Sequence, residues 1–535
     1  MHWLRAAGLA GSLLVFSWPT IAPAGSRFAL SFPVVTLVFI GALLALTLGW
    51  THTPGPDAVT GRGTSTGFAW LVGGTASALF ALGLGTMLQT VLNTPITPLR
   101  ADMLPVIEMA IRRLATGHDP YGMYEMPWLV PLPYGPVMWV PFTIPVALGI
   151  DMRAVTLVGV LFVPAWCAIA ATVDASRRRW SSAIGWLIVL AAIVLNPDLR
   201  RFSTIGHSPA YWPLILPFAA LVRRERWLGA AALLALLLVG RSTTIAIVPV
   251  FFMTVWIRAP QALTRALLVW AAVVAVLIVP FFLWDPPAMW YGMVASYPRI
   301  MKQSVWVHFP QWVTDTIGLT GWLLARHRAV LVEASQMIAM AAVWAASWGA
   351  IRRGRAPLPW MACSLAVFCM TSLWPVYYIY FDALLLFVCA ALVETPVPGV
   401  PLLSTPRRAA TAWSATIGAL VTALAVALFS VADAYPTTST ATTMDSKTSV
   451  ALPRRSRSAA VITVIGTINT TPAAMSARLN GTPLQIVPVS VGAMALMLDA
   501  PADLWRIGSN ELTIDAAAPN LQIRSVSVGA PPSRR

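Results

Sequence analysis

The stretch RADMLPVIEMAIRRLATGHDPYG, residues 100–122, gathers aspartate, glutamate, arginine and histidine between long apolar runs. Such side chains move protons and hold anions. Asp102 has the chemistry to take a proton from a hydroxyl that attacks an electrophilic carbon. It equally has the chemistry of a helix cap, accepting from first-turn amides, and the two roles do not exclude each other. Asp119, His118 and Tyr121, in the HDPYG that follows, either bind a substrate or order the loop. Arg112 and Arg113 either hold a phosphate or meet lipid headgroups. A further cation, Arg241 in LLVGRSTT, lies between two short apolar segments. An ionisable group there marks a functional site by default, unless its side chain reaches out to the headgroups. His207, a lone histidine near a helix start, and Tyr134 in PYGP complete the candidate set.

Other chemistries find no purchase. There is no HExxH, no GxSxG and no glycine loop of the phosphate-cradling kind. Asp102 with Asp119 or Glu125 has the oxygens for a divalent ion, but no spacing demands one, and neither a metal nor another cofactor is expected. Cys167, Cys363, Cys369 and Cys389 all fall inside apolar runs and read as small buried hydrophobes.

The elements that must position these residues are membrane helices. The chain of 535 residues is 58% hydrophobic and 10% charged, with a mean hydropathy of +0.73. An ordinary soluble domain carries about 25% charge. Apolar runs of helical length without strict alternation indicate an all-α polytopic membrane protein with about 13 to 14 transmembrane helices, not a barrel. The runs are 6–23, 28–50, 68–92, 133–150, 154–173, 181–196, 209–222, 228–240, 243–257, 265–284, 329–350, 358–374, 377–393 and 411–431. The first of them is an uncleaved signal-anchor or a cleaved signal peptide.

The net charge of +16 sits largely in short loops, among them SRRRW (176–180), RRER (223–226) and IRRGR (351–355). That is a positive-inside pattern rather than a nucleic-acid surface. Alternation from Arg177 onward puts these loops on one side, with WDPP and the C-terminal tail on the other. Upstream there is a conflict. If 133–150 and 154–173 both cross, the loop holding Asp102 shares a side with SRRRW, so either one of them is re-entrant or the triple arginine breaks the rule.

Within 93–132, an external loop, Met103, Val106, Ile107, Ala110, Ile111 and Leu114 form a helical stripe, with Glu108, Arg112 and Thr116 opposite. Such a helix suits a membrane surface. Residues 1–432 thus form the transmembrane domain and 433–454 a Ser/Thr-rich linker. Residues 455–535, with short β-rich runs and turns at NG (480–481) and GSN (508–510), form a small β-sandwich on the outer face.

Asp102, the GHDPY of Gly117 to Tyr121, and the Tyr134 and Pro136 that open the next span resemble a pattern of the GT-C class of membrane glycosyltransferases. The likeness is nearest to polyprenyl-phosphate-mannose-dependent mannosyl- and arabinofuranosyltransferases. FSTIGHSPAYWPLILPFAALVRRERWLGAAALLALLLVGRSTTIAIVPVFF (202–252) is similar to a further stretch of that family, with two departures. His207 stands where a glutamine is usual, and Arg241 where a lysine is usual. The resemblance implies a GT-C-like fold in the plasma membrane, with the C-terminal domain extracytoplasmic. It implies a polyprenyl-phosphate-linked sugar as donor and a glycan or glycolipid as acceptor. In that setting Asp102 is general base, Arg241 and Arg112 bind the donor phosphate, and Asp119, His118, Tyr121, Tyr134 and His207 bind acceptor or order the loop. The alternative is a non-catalytic lipid or polysaccharide transporter, or an envelope-assembly protein, whose polar groups at helix breaks line a path.

Overall fold

The computed structural model describes residues 8–12, 66–92, 96, 103–125, 129–296, 318–325, 328–373, 379–394, 415, 417–423 and 425, and then 438–439, 447–454, 460–467, 475–488, 493–500, 504–516 and 522–529. Asp102 lies outside the described residues, as do the span expected at 28–50 and most of those at 6–23 and 411–431.

The chain is mostly helical. Among the described residues, four helical stretches are long and apolar enough to cross a membrane: Gly67–Leu92, Arg153–Ser176, Pro260–Trp284 and Ala329–Arg352. We name α1 Thr66–Leu92, α2 Met103–Ala115, α3 Arg153–Ser176, α4 Trp180–Val194, α5 Pro197–Ile205, α6 Ile215–Arg223 and α7 Trp227–Gly240. They are followed by α8 Ile247–Arg258, α9 Leu263–Trp284, α10 Gly318–Ala325, α11 Val332–Arg352, α12 Pro357–Thr371 and α13 Tyr380–Glu394. Several apolar helices, such as α4 and α12 at 15 residues each, reach only about 22 Å at 1.5 Å per residue. The hydrocarbon core is about 30 Å thick. Sequence hydropathy marks them as spans; their length falls short of a full crossing by themselves.

Burial separates inner from outer helices. In Pro260–Trp284 and Ala329–Arg352 only 6% and 17% of the most apolar window is buried inside the protein, against 67% for Arg153–Ser176. Bare apolar flanks of that extent suit a bilayer and not water. Helix α3 is the centre. It packs on α1, α4 and the 3-10 turn Ser208–Leu214. Gly159 makes the last of these contacts possible, since a Cβ there would lie 1.9 Å from the Pro209 carbonyl oxygen.

One buried arginine settles the path of the chain between α1 and α3. Arg153 Nη1 donates to the Val91 carbonyl oxygen at 2.9 Å, so the end of α1 and the start of α3 lie at the same end of the bundle. Asp151 holds that guanidinium in place through its Oδ2 at 2.5 Å. The chain between them thus makes no net passage, and the helical stretch Pro136–Leu148 begins beside the end of α7, with Gly135 against the Val239 carbonyl, so it does not carry the chain across. It is re-entrant, broken by a 3-10 turn at Val140–Phe142, and it packs against α2. Of the two segments left in conflict by the charge pattern, the first turns back within the fold and the second runs through the bundle. At the far end Arg258 pairs with Glu225 at 3.3 Å and donates to the Arg355 carbonyl at 3.0 Å. RRER, IRAP and IRRGR are thereby gathered together, as alternation expects.

Two short strands, β1 Met123–Glu125 and β2 Leu129–Pro131, pair antiparallel ahead of Pro136. The C-terminal strands are β3 Thr438–Ser439, β4 Lys447–Arg454, β5 Ala460–Thr467, β6 Met475–Leu479, β7 Thr482–Pro488, β8 Ala493–Ala500, β9 Gly508–Ala516 and β10 Gln522–Gly529. They pair antiparallel in the order β3-β10-β5-β8-β7-β6-β9-β4. Strand β7 spans two neighbours: Thr482 to Leu484 pair with β6, and Gln485 to Pro488 with β8. The sheet folds over there, and Leu452, Ile462, Leu479, Leu498, Trp505 and Ile514 from both halves share one core. Asn480 and Gly481 are the two-residue turn between β6 and β7, both at positive φ (51° and 85°). That is the backbone an Asn-Gly pair is chosen for. Strands β3 and β4 fall where the polar composition reads as linker. Alternating Thr448, Val450 and Leu452 is a strand pattern that the Ser/Thr content hides.

Candidate functional site

The amphipathic helix α2 buries Leu104, Val106, Ile107, Ala110 and Ile111. Val106, Ile107, Ala110 and Ile111 are the middle of the stripe that the 3.6-residue period predicts; Met103 and Leu114 at its ends are half-buried, and Leu104 joins it. On its other face Glu108 and Arg112 form an exposed pair at 2.8 Å, with Arg112 63% accessible. The helix stops at Gly117, whose φ of +79° is left-handed. Its amide donates to the Leu114 carbonyl and that of His118 to the Arg113 carbonyl, closing a Schellman cap.

The loop beyond the cap turns inward. His118 stays exposed beside the Thr116 hydroxyl. Asp119 is buried, one oxygen accepting from the Tyr121 amide at 3.1 Å and the other, Oδ2, without a hydrogen-bond partner. Burial pushes its pKa above the usual carboxylate value. The Tyr121 amide opposes that, the charge of Asp285 adds to it, and Arg113 opposes it again. Arg113 reaches back over the loop, its Nη1 2.9 Å from where a Cβ on Gly122 would stand. The Tyr121 hydroxyl donates to the Tyr134 carbonyl at 3.0 Å, and Phe281 of α9 meets the Tyr121 ring edge-on at 5.7 Å. The Tyr124 hydroxyl donates to the Pro120 carbonyl, and burial pushes its pKa up to about 12.

From Tyr134 the contacts lead to the cation. Its ring lies 4.3 Å from that of His207, centroid to centroid. Gly135 is pressed on the end of α7, where a Cβ would stand 2.2 Å from the Val239 carbonyl oxygen. His207 is 6% exposed and neither ring nitrogen has a hydrogen-bond partner. Burial first, and the Arg241 charge second, hold its pKa well below the usual imidazole value. The next residue, Ser208, is fully buried and accepts a hydrogen bond from Arg241 Nη1. Arg241 follows the last residue of α7, and its Nε lies 3.5 Å from Asp382 Oδ2, with side chains 10% and 2% exposed. Trp212 Nε1 donates to the other Asp382 oxygen at 2.7 Å. A narrow cavity beside the pair is lined by Tyr211, Leu237, Thr244, Ile247, Leu365 and Asp382.

Six of the residues marked by sequence thus occupy one end of the bundle: Asp119, His118, Tyr121, Tyr134, His207 and Arg241. Arg112 stands apart from them on the exposed face of α2. Asp102 precedes the first described residue of α2. Sequence reasoning missed Asp382, Ser208 and Trp212. Asp382 closes WPVYYIYFD, whose aromatics read equally as the rim of a cavity or as an interfacial belt. A lone carboxylate at the head of an apolar run is the signal that was there to be used. Among the described residues no cluster of three or more His, Cys, Asp or Glu side chains could hold a metal ion.

What the arrangement can do chemically is hold an anion at a dry helix end. It offers a guanidinium paired with Asp382 and Ser208, and an imidazole without a hydrogen-bond partner, among packed aromatic rings. Compared with family models, with curated proteins and with solved structures, the chain matches none.

Proposed function

We propose that the chain is a membrane glycosyltransferase of GT-C type. It moves a sugar, of mannose or arabinose type, from a polyprenyl-phosphate donor to a cell-envelope glycan or glycolipid on the outer face of the plasma membrane. The observation that carries this reading is the run of contacts from Tyr121 to Tyr134 to His207, whose neighbour Ser208 accepts from Arg241; it ties the acidic loop to a buried cation at one bundle end. Transfer from a lipid phosphate needs those two parts side by side.

In this reading Asp102 is general base. It takes the proton of the acceptor hydroxyl as that oxygen attacks the anomeric carbon, and the bond from carbon to phosphate oxygen breaks with its electron pair going to the phosphate. Arg241 offsets the charge gained by that leaving group. Arg112, exposed on α2, draws the anionic donor from the headgroup layer. Asp119, His118, Tyr121 and Tyr134 shape the floor on which the acceptor rests. The bare apolar flanks of α9 and α11 hold the multi-pass chain in the bilayer, and the β domain lies on the outer side. A transporter would favour polar groups near the bilayer midplane. Here Arg241 follows the end of one helix and Asp382 is the third residue of another, which favours the enzyme.

The test is transfer of radiolabelled sugar from polyprenyl-phosphate donors in membranes, wild type against Asp102→Asn at equal abundance. Loss of a general base lowers the rate by about 100-fold or more. An unchanged rate removes Asp102 from the mechanism. A wild type that transfers from no polyprenyl-phosphate donor moves the transporter reading ahead.

A further inference from the structure

The buried pair of Arg241 and Asp382 poses a question that the transfer reaction does not answer by itself. If Arg241 is to meet a phosphate, it meets it already paired with a carboxylate 3.5 Å away. Two features around the pair bear on this. His207 is buried with both ring nitrogens unpartnered, which is costly for a polar side chain unless something else completes it. Ser208, its neighbour in sequence, already accepts from the same guanidinium, so the His207 backbone is fixed next to the cation. Asp382 in turn is held from behind by the Trp212 indole. It therefore keeps a partner when Arg241 turns away.

Resting on the reading of Arg241 as the donor-phosphate residue, we propose that Asp382 is an internal counter-ion which an incoming lipid phosphate displaces from Arg241, and that His207 and Ser208 supply further hydrogen bonds to that same phosphate. The resting site then stays neutral overall at a depth where an unpaired charge would be expensive. The ligand is recognised as a phosphate ester: its oxygens take the guanidinium from Asp382, one N–H from the imidazole and the hydroxyl of Ser208. A neutral lipid has nothing with which to displace the carboxylate. The arrangement thus selects for the charged head of the donor before the sugar is read at all. His207 is a binding residue in this scheme, and Asp382 a positioning residue.

The experiment is binding of farnesyl phosphate to the full-length chain purified in detergent, read by calorimetry, with farnesol and inorganic phosphate as comparison ligands. Thermal unfolding of each variant, with and without ligand, is recorded in parallel. Wild type binds farnesyl phosphate and discriminates against both farnesol and inorganic phosphate. His207→Leu weakens farnesyl phosphate by about tenfold, the worth of one hydrogen bond to a charged group, while His207→Gln, which keeps a donor, stays within about threefold. Asp382→Asn keeps an acceptor for Trp212 and removes the competitor. It unfolds at lower temperature without ligand, binds farnesyl phosphate more tightly than wild type, and gains more thermal stability from it.

A folded Asp382→Asn that binds farnesyl phosphate no better than wild type overturns the counter-ion role. A folded His207→Leu that binds as wild type overturns the imidazole contact. Inorganic phosphate binding as tightly as farnesyl phosphate makes the ligand a free phosphate and sinks the lipid assignment. None of these outcomes depends on sugar transfer. If transfer fails and the binding pattern holds, the glycosyltransferase reading falls and the subsite stands; the reverse result separates them the other way.

Discussion

The carboxylate of Asp382 and the guanidinium of Arg241 face each other 3.5 Å apart, one from the first turn of α13 and the other from just past the end of α7. A buried ion pair of this kind is weak evidence for stability, because both charges were taken out of water to make it. Removing one partner is another matter, since it strands the other. Arg241→Met or Asp382→Ala is expected to cost about 3–5 kcal/mol. The double variant Arg241→Met with Asp382→Leu returns close to wild-type stability. Thermal unfolding of the four proteins in detergent measures this. A double variant as unstable as the singles would mean that the pair itself, and not the stranded charge, holds the fold there.

Gly135 is expected to be intolerant of any side chain. Its φ of −72° is ordinary, so the constraint is contact alone: a Cβ would sit 2.2 Å from the Val239 carbonyl oxygen. Backbone cannot yield as a flexible side chain does. Gly135→Ala should cost about 1–3 kcal/mol and pull the Tyr134 ring from His207, with loss of transfer or phosphate binding. Gly117→Ala tests a different mechanism. It is open to solvent but left-handed (φ +79°), and should cost about 1 kcal/mol with function intact. Equal functional loss in the two variants would break the link between Gly135 and the site.

Much of this is legible in the sequence. The α2 stripe follows from its 3.6-residue period, and the β6–β7 turn from Asn480-Gly481, because both are local. The fate of Pro136–Leu148 was not legible, since a crossing and a re-entrant segment are equally apolar. It took one contact, Arg153 to the Val91 carbonyl, to decide it. Asp382 was hidden for a similar reason. Its aromatic neighbours suit a membrane belt as well as a cavity rim, and only the fold brings Arg241 and Trp212 to it.

Asp119 should make stability depend on pH in the sense opposite to that of most carboxylates. Its pKa is raised in the folded chain, chiefly by burial and further by Asp285. A raised folded pKa means that the protonated form is the favoured one. Its contribution is fully present below the unfolded value and is lost as pH rises through the folded one. Asp119→Asn, which mimics the neutral acid and keeps an acceptor for the Tyr121 amide, should therefore unfold at higher temperature than wild type at neutral pH. That advantage should disappear below about pH 4. Unfolding temperatures of both proteins from pH 3 to 8 check it, and an advantage that grows toward acid pH reverses the sign and refutes the assignment.

Arg112 should separate from Arg241 in any functional assay. Its pair with Glu108 is exposed at i,i+4 spacing, a geometry worth about 0.3–0.5 kcal/mol. Arg112→Gln should leave stability nearly unchanged and weaken donor affinity modestly, with the effect fading at high salt as long-range attraction is screened. Arg241→Gln should weaken donor affinity at every salt concentration, because its charge is buried. A salt-independent loss at Arg112 would place it in direct contact with the phosphate.

The re-entrant path of residues 136–148 makes a prediction about sides that needs no knowledge of function. Because Val91 and Arg153 meet, the loop carrying His118 emerges at the same bundle end as both. Glu225, Arg258 and Arg355 meet at the other end. The four native cysteines are buried, so they give little background to a membrane-impermeant thiol reagent. Single cysteines at the exposed positions His118, Arg224 and Arg353 can therefore be read directly. His118→Cys should be labelled from one face of sealed vesicles only, and Arg224→Cys and Arg353→Cys from the opposite face only. A crossing at 136–148 would leave the chain between α1 and α3 one passage out of step, and His118→Cys would then be labelled together with Arg224→Cys.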